Sequence, residues 1–143
     1  MTRELQTAFE AKGLKEIDQS TAMIYDLAKH TTFIINELQI IEDDNNLNQW
    51  KQPLCEAFES NEESILQYVK SHQRFQDNKG KLYHFVGFID NSPVTSLTFS
   101  INNNIARIDK VATFPKHQDK GYATGMLKYL LSKTKELGAD YYL

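Results

Sequence analysis

The chain has 143 residues, enough for one domain with one core. Hydrophobic residues make up 41% and charged residues 24%, a globular mixture rather than a disordered or membrane-embedded one. The formal charge of -3 argues against a dedicated nucleic-acid binder, and the single cysteine, Cys55, excludes an intrachain disulfide and a Cys-rich zinc site.

The N-terminal stretch MTRELQTAFEAKG has no apolar run of signal-peptide length. No window approaches the ~20 apolar residues of a membrane helix. A cytoplasmic protein without membrane or nucleic-acid partners is therefore expected. His30, His72, His84 and His117 show no ligand spacing, so no metal site is expected either.

Residues Leu5 to Lys12 can form a short helix stopped by Gly13. LKEIDQSTAMIYDL and FIINELQII read as extended segments rich in Ile and Tyr. EDDNNLN is a polar turn. Leu47, Trp50, Leu54 and Phe58 then recur at helical spacing, and Pro53 makes this helix either kink or start nearby. Cys55 falls near its apolar face and reads as a core residue. Ser60-Asn61-Glu62-Glu63 fits an S-x-x-E capping box, so a second helix is expected at about residues 61 to 73. RFQDNKGK reads as a loop.

The pattern then changes from helical spacing to alternation. KLYHFVGFID is apolar on both alternating faces, as in a central strand. VTSLTFSI follows the turn DNSP, with Leu97, Phe99 and Ile101 on one face. IARIDKVATF follows the turn NNN. Three strands joined by tight turns make an antiparallel meander. The aromatic LYHFVGF stretch has a surface likeness to RNA-binding strands, but the acidic balance favours sheet core. Met126, Leu127, Leu130, Leu131 and Leu137 then outline an amphipathic helix ended by Gly138, with Lys128, Lys133, Lys135 and Glu136 outward. ADYYL begins a further strand, parallel to the one before the helix. The fold class is α+β, a mixed and mostly antiparallel sheet flanked by helices.

Between the third strand and that helix stands PKHQDKGYATG. The first turn of a helix has unpartnered N–H groups and a partial positive charge, and so binds phosphate. Gly121 removes a side chain where a ligand must approach, and Ala123 keeps the next approach clear. Lys116, His117 and Lys120 add donors. The junction therefore reads as a pyrophosphate cradle, or else as an ordinary strand-to-helix connection. The P-loop string and the G-x-G-x-x-G dinucleotide string are both absent.

Val111-Ala112-Thr113-Phe114-Pro115 followed by Gln118-Asp119-Lys120-Gly121-Tyr122-Ala123 resembles the GNAT superfamily of acyl-CoA N-acyltransferases, whose signature is [QR]-x-x-G-x-[GA] after a strand ending near proline. The resemblance covers about residues 32 to 143. It implies that acetyl-CoA is the cosubstrate and that a primary amine attacks its thioester directly. By the same resemblance the backbone of Val111, Ala112 and Thr113 pairs with the pantetheine arm. The amides of Gln118, Asp119, Lys120, Gly121, Tyr122, Ala123 and Thr124 hold the pyrophosphate. The EDDNN turn is either solvated or, in this family's pattern, part of the acceptor wall that attracts a cationic amine.

Two positions depart from the family pattern. Some relatives carry a glutamate general base where this chain has Arg107. Asp109, Glu42, Asp43, Tyr83 and His84 are the other candidate proton acceptors, and the catalytic residues stay unassigned. The family also continues past the last strand with a helix and a Y-x-x-x-G-F segment, so residues 32–143 read as a domain incomplete at its C-terminal end. Residues 1–31 read as a helix–strand segment similar to the tail of an upstream half-domain. A non-catalytic CoA-binding or interaction module is the alternative to an enzyme. An unprotected last strand would invite a homodimer.

Overall fold

Two pairs of left-handed residues set the centre of the fold. Asp90 and Asn91 have φ of 48° and 59°, and Asn103 and Asn104 have 47° and 61°. Two consecutive positive φ values give the tight hairpin turn whose twist matches the flanking strands, and Asn and Asp tolerate that region best among non-glycine residues. The computed structural model describes residues 3–15, 23–29, 37–43, 47–77 and 82–142. In it these turns join β3 (Leu82–Ile89), β4 (Ser92–Asn102) and β5 (Ile105–Thr113) as an antiparallel meander.

Further strands extend both sides. β2 (Gln39–Glu42) pairs antiparallel with β3. After α4 (Tyr122–Glu136), β6 (Tyr141–Tyr142) lies parallel to β5, as a strand–helix–strand crossover requires. β1 (Tyr25–Asp26) pairs antiparallel with the other side of β6. The sheet order is β1-β6-β5-β4-β3-β2. Much of the two N-terminal extended segments read from sequence, residues 16–22 and 30–36, lies outside the described residues. α1 spans Arg3–Glu10, two residues N-terminal of its expected position at each end.

The alternating apolar pattern of β3 fills both faces of the sheet. Phe85, Leu97, Phe99, Met126 and Leu130 form one core with α4. Val86 and Phe88 join Trp50, Leu54, Ile65, Val69 and Ala112 in the other, under α2 (Lys51–Ala57) and α3 (Glu62–Asp77). Burying one such aliphatic or aromatic side chain contributes ~1.5–3 kcal/mol. Cys55 is half-buried and packs against the second core.

Several local expectations shift. Pro53 is the third residue of α2, where a missing N–H costs no helical bond, so the helix starts beside it. The cap of α3 is Asn61, whose Oδ1 accepts the Ser64 amide at 2.8 Å; Ser60 Oγ instead donates to the Phe58 carbonyl. An amide side chain one residue later makes the same bond that the S-x-x-E string assigned to serine. α3 continues to Asp77, so RFQD is helical and not loop. On α4, Thr134 rather than Leu137 completes the stripe with Met126 and Leu130; Leu137 is the C-cap residue and is exposed.

Gly87 shows how tightly α4 sits on the sheet. A Cβ there would lie 2.8 Å from Thr95 Cγ2, 2.9 Å from Leu38 Cδ1 and 3.1 Å from Met126 Cε. Gly87→Ala is therefore expected to lower stability by ~1–3 kcal/mol through overpacking. Urea unfolding of the variant checks this; an unchanged midpoint would mean that the layer has room it is not seen to have.

Candidate active site at the end of strand β5

β5 is paired with β4 along its length, and the two described residues of β6 pair with it at Ile105 and Ala106. Phe114 N–H donates to the Val94 carbonyl, so by strand alternation the backbone of Thr113 faces away from β4. The Thr113 carbonyl accepts the Gln118 side-chain amide at 3.2 Å instead. Thr95 Oγ1 donates to the Ala112 carbonyl at 2.8 Å and lies 3.0 Å from Thr113 Oγ1. These bonds fix the end of β5.

Pro115–His117 then make one 3-10 turn. Asp119 and Gly121 take φ of 60° and 80°, which reverses the chain into α4. Gly121 is the N-cap residue, and no side chain caps the helix. The first-turn amides of α4 therefore keep their capacity for an external acceptor. Thr113, His117, Gln118, Asp119, Gly121, Tyr122, Ala123 and Thr124 line one cavity of about 330 Å³. A Cβ at Gly121 would meet nothing within 4 Å, so the glycine is needed for its backbone conformation and keeps the cavity mouth open.

Of the ten positions singled out from sequence, Thr113, Gln118, Asp119, Gly121, Tyr122, Ala123 and Thr124 meet at this cavity. Val111 and Ala112 precede it on β5, with Ala112 buried against the α2–α3 side. Lys120 is exposed on the loop and is not part of the wall. His117 is an additional wall residue. Its Nδ1 is enclosed without a hydrogen-bond partner, and burial, then Lys120 and Lys116, hold the ring below its ordinary pKa.

A second feature lies lower on β5. Between the pairs Leu97–Val111 and Phe99–Ile108, two residues of β4 advance against three of β5. The extra residue is a β-bulge at Asp109–Lys110. A bulge can turn consecutive side chains to one face, where a regular strand would send them to opposite faces. Both side chains do reach Tyr68 on α3: its hydroxyl donates to Asp109 Oδ2 at 2.8 Å, and Lys110 Nζ sits 5.3 Å from its ring centre. Arg107 is exposed.

Behind Tyr68 is a layer of aromatic and imidazole rings. Trp50 stacks on Tyr68 with ring centres 5.7 Å apart, and its edge-to-face partner His84 is 4.9 Å away. Trp50 N–H donates to Asp43 Oδ2 and its indole Nε1 to the Leu97 carbonyl, which ties α2 to the end of β2 and to β4. His72 Nδ1 and His84 Nε2 are 2.6 Å apart and buried, so one neutral ring donates to the other. Tyr83 is on the opposite face, stacked on Phe99. Twelve residues separate the two histidines, which is why no ligand-type spacing revealed the pair. Among the described residues no group of three or more His, Cys, Asp or Glu could hold a metal ion.

The electrostatics follow from burial. Desolvation lowers His72 to about 4; Asp109 opposes the shift and Lys110 adds to it. Desolvation and then His72 lower His84 to about 3. Burial raises Tyr68, and the hydrogen bond to the Asp109 carboxylate reinforces this.

The sequence model of the Acetyltransferase (GNAT) family matches residues 41–143. The chain belongs to that family. No curated protein sequence matches the chain. Among solved structures it is similar to a GNAT-family acetyltransferase from Brucella melitensis in complex with acetyl-CoA, at 15% identity and a TM-score of 0.58, covering 73% of each chain. It is also similar to the PaiA N-acetyltransferase from Thermoplasma acidophilum in complex with coenzyme A, at 16% identity and 0.54, covering 71% of this chain and 74% of that one. The aminoglycoside 6'-N-acetyltransferase AAC(6')-Ig from Acinetobacter haemolyticus gives 16% and 0.56, covering 73% and 76%. At these identities the likeness concerns the fold. No helix among the described residues is long and apolar enough to cross a membrane.

The neutral histidine pair makes stability fall in acid. Both rings have folded pKa values below the ordinary 6.5, so the unfolded chain binds more protons below that pH. Their contribution is complete above about pH 6.5 and is lost progressively as pH falls toward about 4 for His72 and about 3 for His84. Thermal unfolding should show a lower Tm at about pH 5 than at about pH 7.5, with a shallower dependence in His84→Gln. An identical slope in wild type and variant would show that the pair is not its source.

Proposed function

We propose that the chain is an acetyl-CoA-dependent N-acetyltransferase that passes an acetyl group to a primary amine by direct attack on the thioester. The observation that carries this is the meeting of the outward-facing backbone at the end of β5 with an uncapped α4 N-terminus. The α4 amides from Gly121 to Thr124 offer donors to a pyrophosphate, which the partial charge of the helix favours. The outward backbone of Thr113 and, by alternation, Val111 offers strand-like hydrogen bonds to the amide-bearing arm of CoA. The thioester then reaches the region of the bulge on β5. Backbone N–H groups at such a place can stabilise the oxyanion formed when the amine nitrogen adds to the carbonyl carbon.

An inert CoA-binding module is the second reading, favoured by the exposed Arg107 at the position where some relatives carry a base. The two differ in turnover. The enzyme releases CoA thiol when offered amines, and the module binds CoA without releasing it.

Calorimetric titration tests the cosubstrate. Acetyl-CoA should bind saturably, while a small thioester lacking the nucleotide and pyrophosphate should not. Gly121→Ala should cost ~1 kcal/mol of stability, because the residue at this φ of 80° must be left-handed. Gly121→Glu should in addition weaken acetyl-CoA binding by about tenfold or more, since it brings a negative charge to a phosphate site. Wild-type affinity in Gly121→Glu would place the pyrophosphate elsewhere.

A further inference from the structure

Two cavities share strand β5. The cradle opens at Thr113. The other, of about 310 Å³, lies between α2 and α3 and is walled by Leu54, Phe58, Ile65, Tyr68 and Lys110, with Ser60 and Ser64 at the helix junction. Lys110 and Thr113 are ~10 Å apart along the strand at its usual rise. A cosubstrate in the cradle at the end of β5 and an acceptor in the α2–α3 cavity would thus approach the same strand from different sides.

The chemistry of the second cavity is specific. Its walls are mostly apolar, yet the bulge places Lys110 on it, over the Tyr68 ring, and Asp109 beside it, at the Tyr68 hydroxyl. Tyr68 binds Asp109 Oδ2, which leaves Oδ1 to receive a donor from a ligand. An ammonium group is matched by Asp109, a carboxylate by Lys110, and an apolar side chain by Leu54, Phe58 and Ile65. A purely hydrophobic amine would leave Lys110 uncompensated at a partly desolvated site, and a polyamine would bring further positive charge toward it. The neutral His72–His84 pair behind Tyr68 adds no charge to this balance at neutral pH.

We propose that the acceptor is an α-amino acid with an apolar side chain, held by Lys110 through its carboxylate and by Asp109 through its ammonium group. The proposal rests on the acetyl-transfer reading above. Transfer joins the amino nitrogen to the acetyl carbon and breaks the carbon–sulfur bond. Each ammonium consumed yields one N-acetyl product, one CoA thiol and one proton.

The test measures thiol release from acetyl-CoA by the full chain with L-leucine, L-leucinamide and spermidine, next to acetyl-CoA binding by calorimetry. Leucine should exceed leucinamide in kcat/KM by about tenfold, since the amide lacks the charge that Lys110 recognises. Lys110→Gln should erase the difference between leucine and its amide, with acetyl-CoA affinity as the control for folding. Equal or better use of leucinamide or spermidine overturns the proposal. Acetyl-CoA binding without turnover of leucine overturns it too, while leaving the cosubstrate assignment standing. Failure to bind acetyl-CoA overturns both.

Discussion

Strand β5 carries a constraint on which the rest of the site depends: β4 fixes one of its edges, and its end turns outward backbone toward the first turn of α4. β4 pairs with it from Ile105 to Thr113 around the bulge, and the described residues of β6 pair with Ile105 and Ala106 on the other side. The outward amide of Thr113, turned away from β4, can take a ligand as partner. The same strand ends where α4 begins, so a row of strand amides runs directly into a row of uncapped helix amides. Gly121 makes that continuity possible, because its left-handed conformation turns the chain without a side chain over the helix mouth. The affinity of such a site resides in backbone, which explains why few charged side chains line the cavity.

The bulge couples this edge to the opposite face of the sheet. One inserted residue turns Asp109 and Lys110 toward α3 together. The rings behind them give Tyr68 a firm backing. Trp50 is fully buried and hydrogen-bonded at both its main-chain and indole nitrogens, and the histidine pair closes the layer without introducing charge. A neutral pair is the low-cost arrangement there, since charging either ring would require desolvating it next to the other. The α2–α3 side of the molecule is thus built from packing and aromatic contacts, while the α4 side offers backbone donors.

Much of this was legible in the sequence because its cause is local. Asp90-Asn91 and Asn103-Asn104 announce their turns through intrinsic tolerance of positive φ. Gly121 announces the helix entry, and the spacing of Met126 and Leu130 announces the buried face of α4. What escaped depends on pairing across the chain. The bulge is a mismatch between two strands and leaves no mark on either one alone. The His72–His84 bond joins a helix to a strand, and the facing of Asp109 follows from the bulge. Asn61 displaced Ser60 as the cap because both residue types can make the bond, and sequence alone does not say which backbone is extended. The place of Tyr25–Asp26 beside β6 likewise depends on a contact between the two ends of the described chain.

The most direct test of the account is to record backbone amide resonances as acetyl-CoA is added. The account predicts that the shifts concentrate at Val111, Thr113 and the stretch from Gln118 to Thr124, with α1 unaffected. Saturating acetyl-CoA that leaves those amides unmoved, or shifts confined to another part of the molecule, would contradict it.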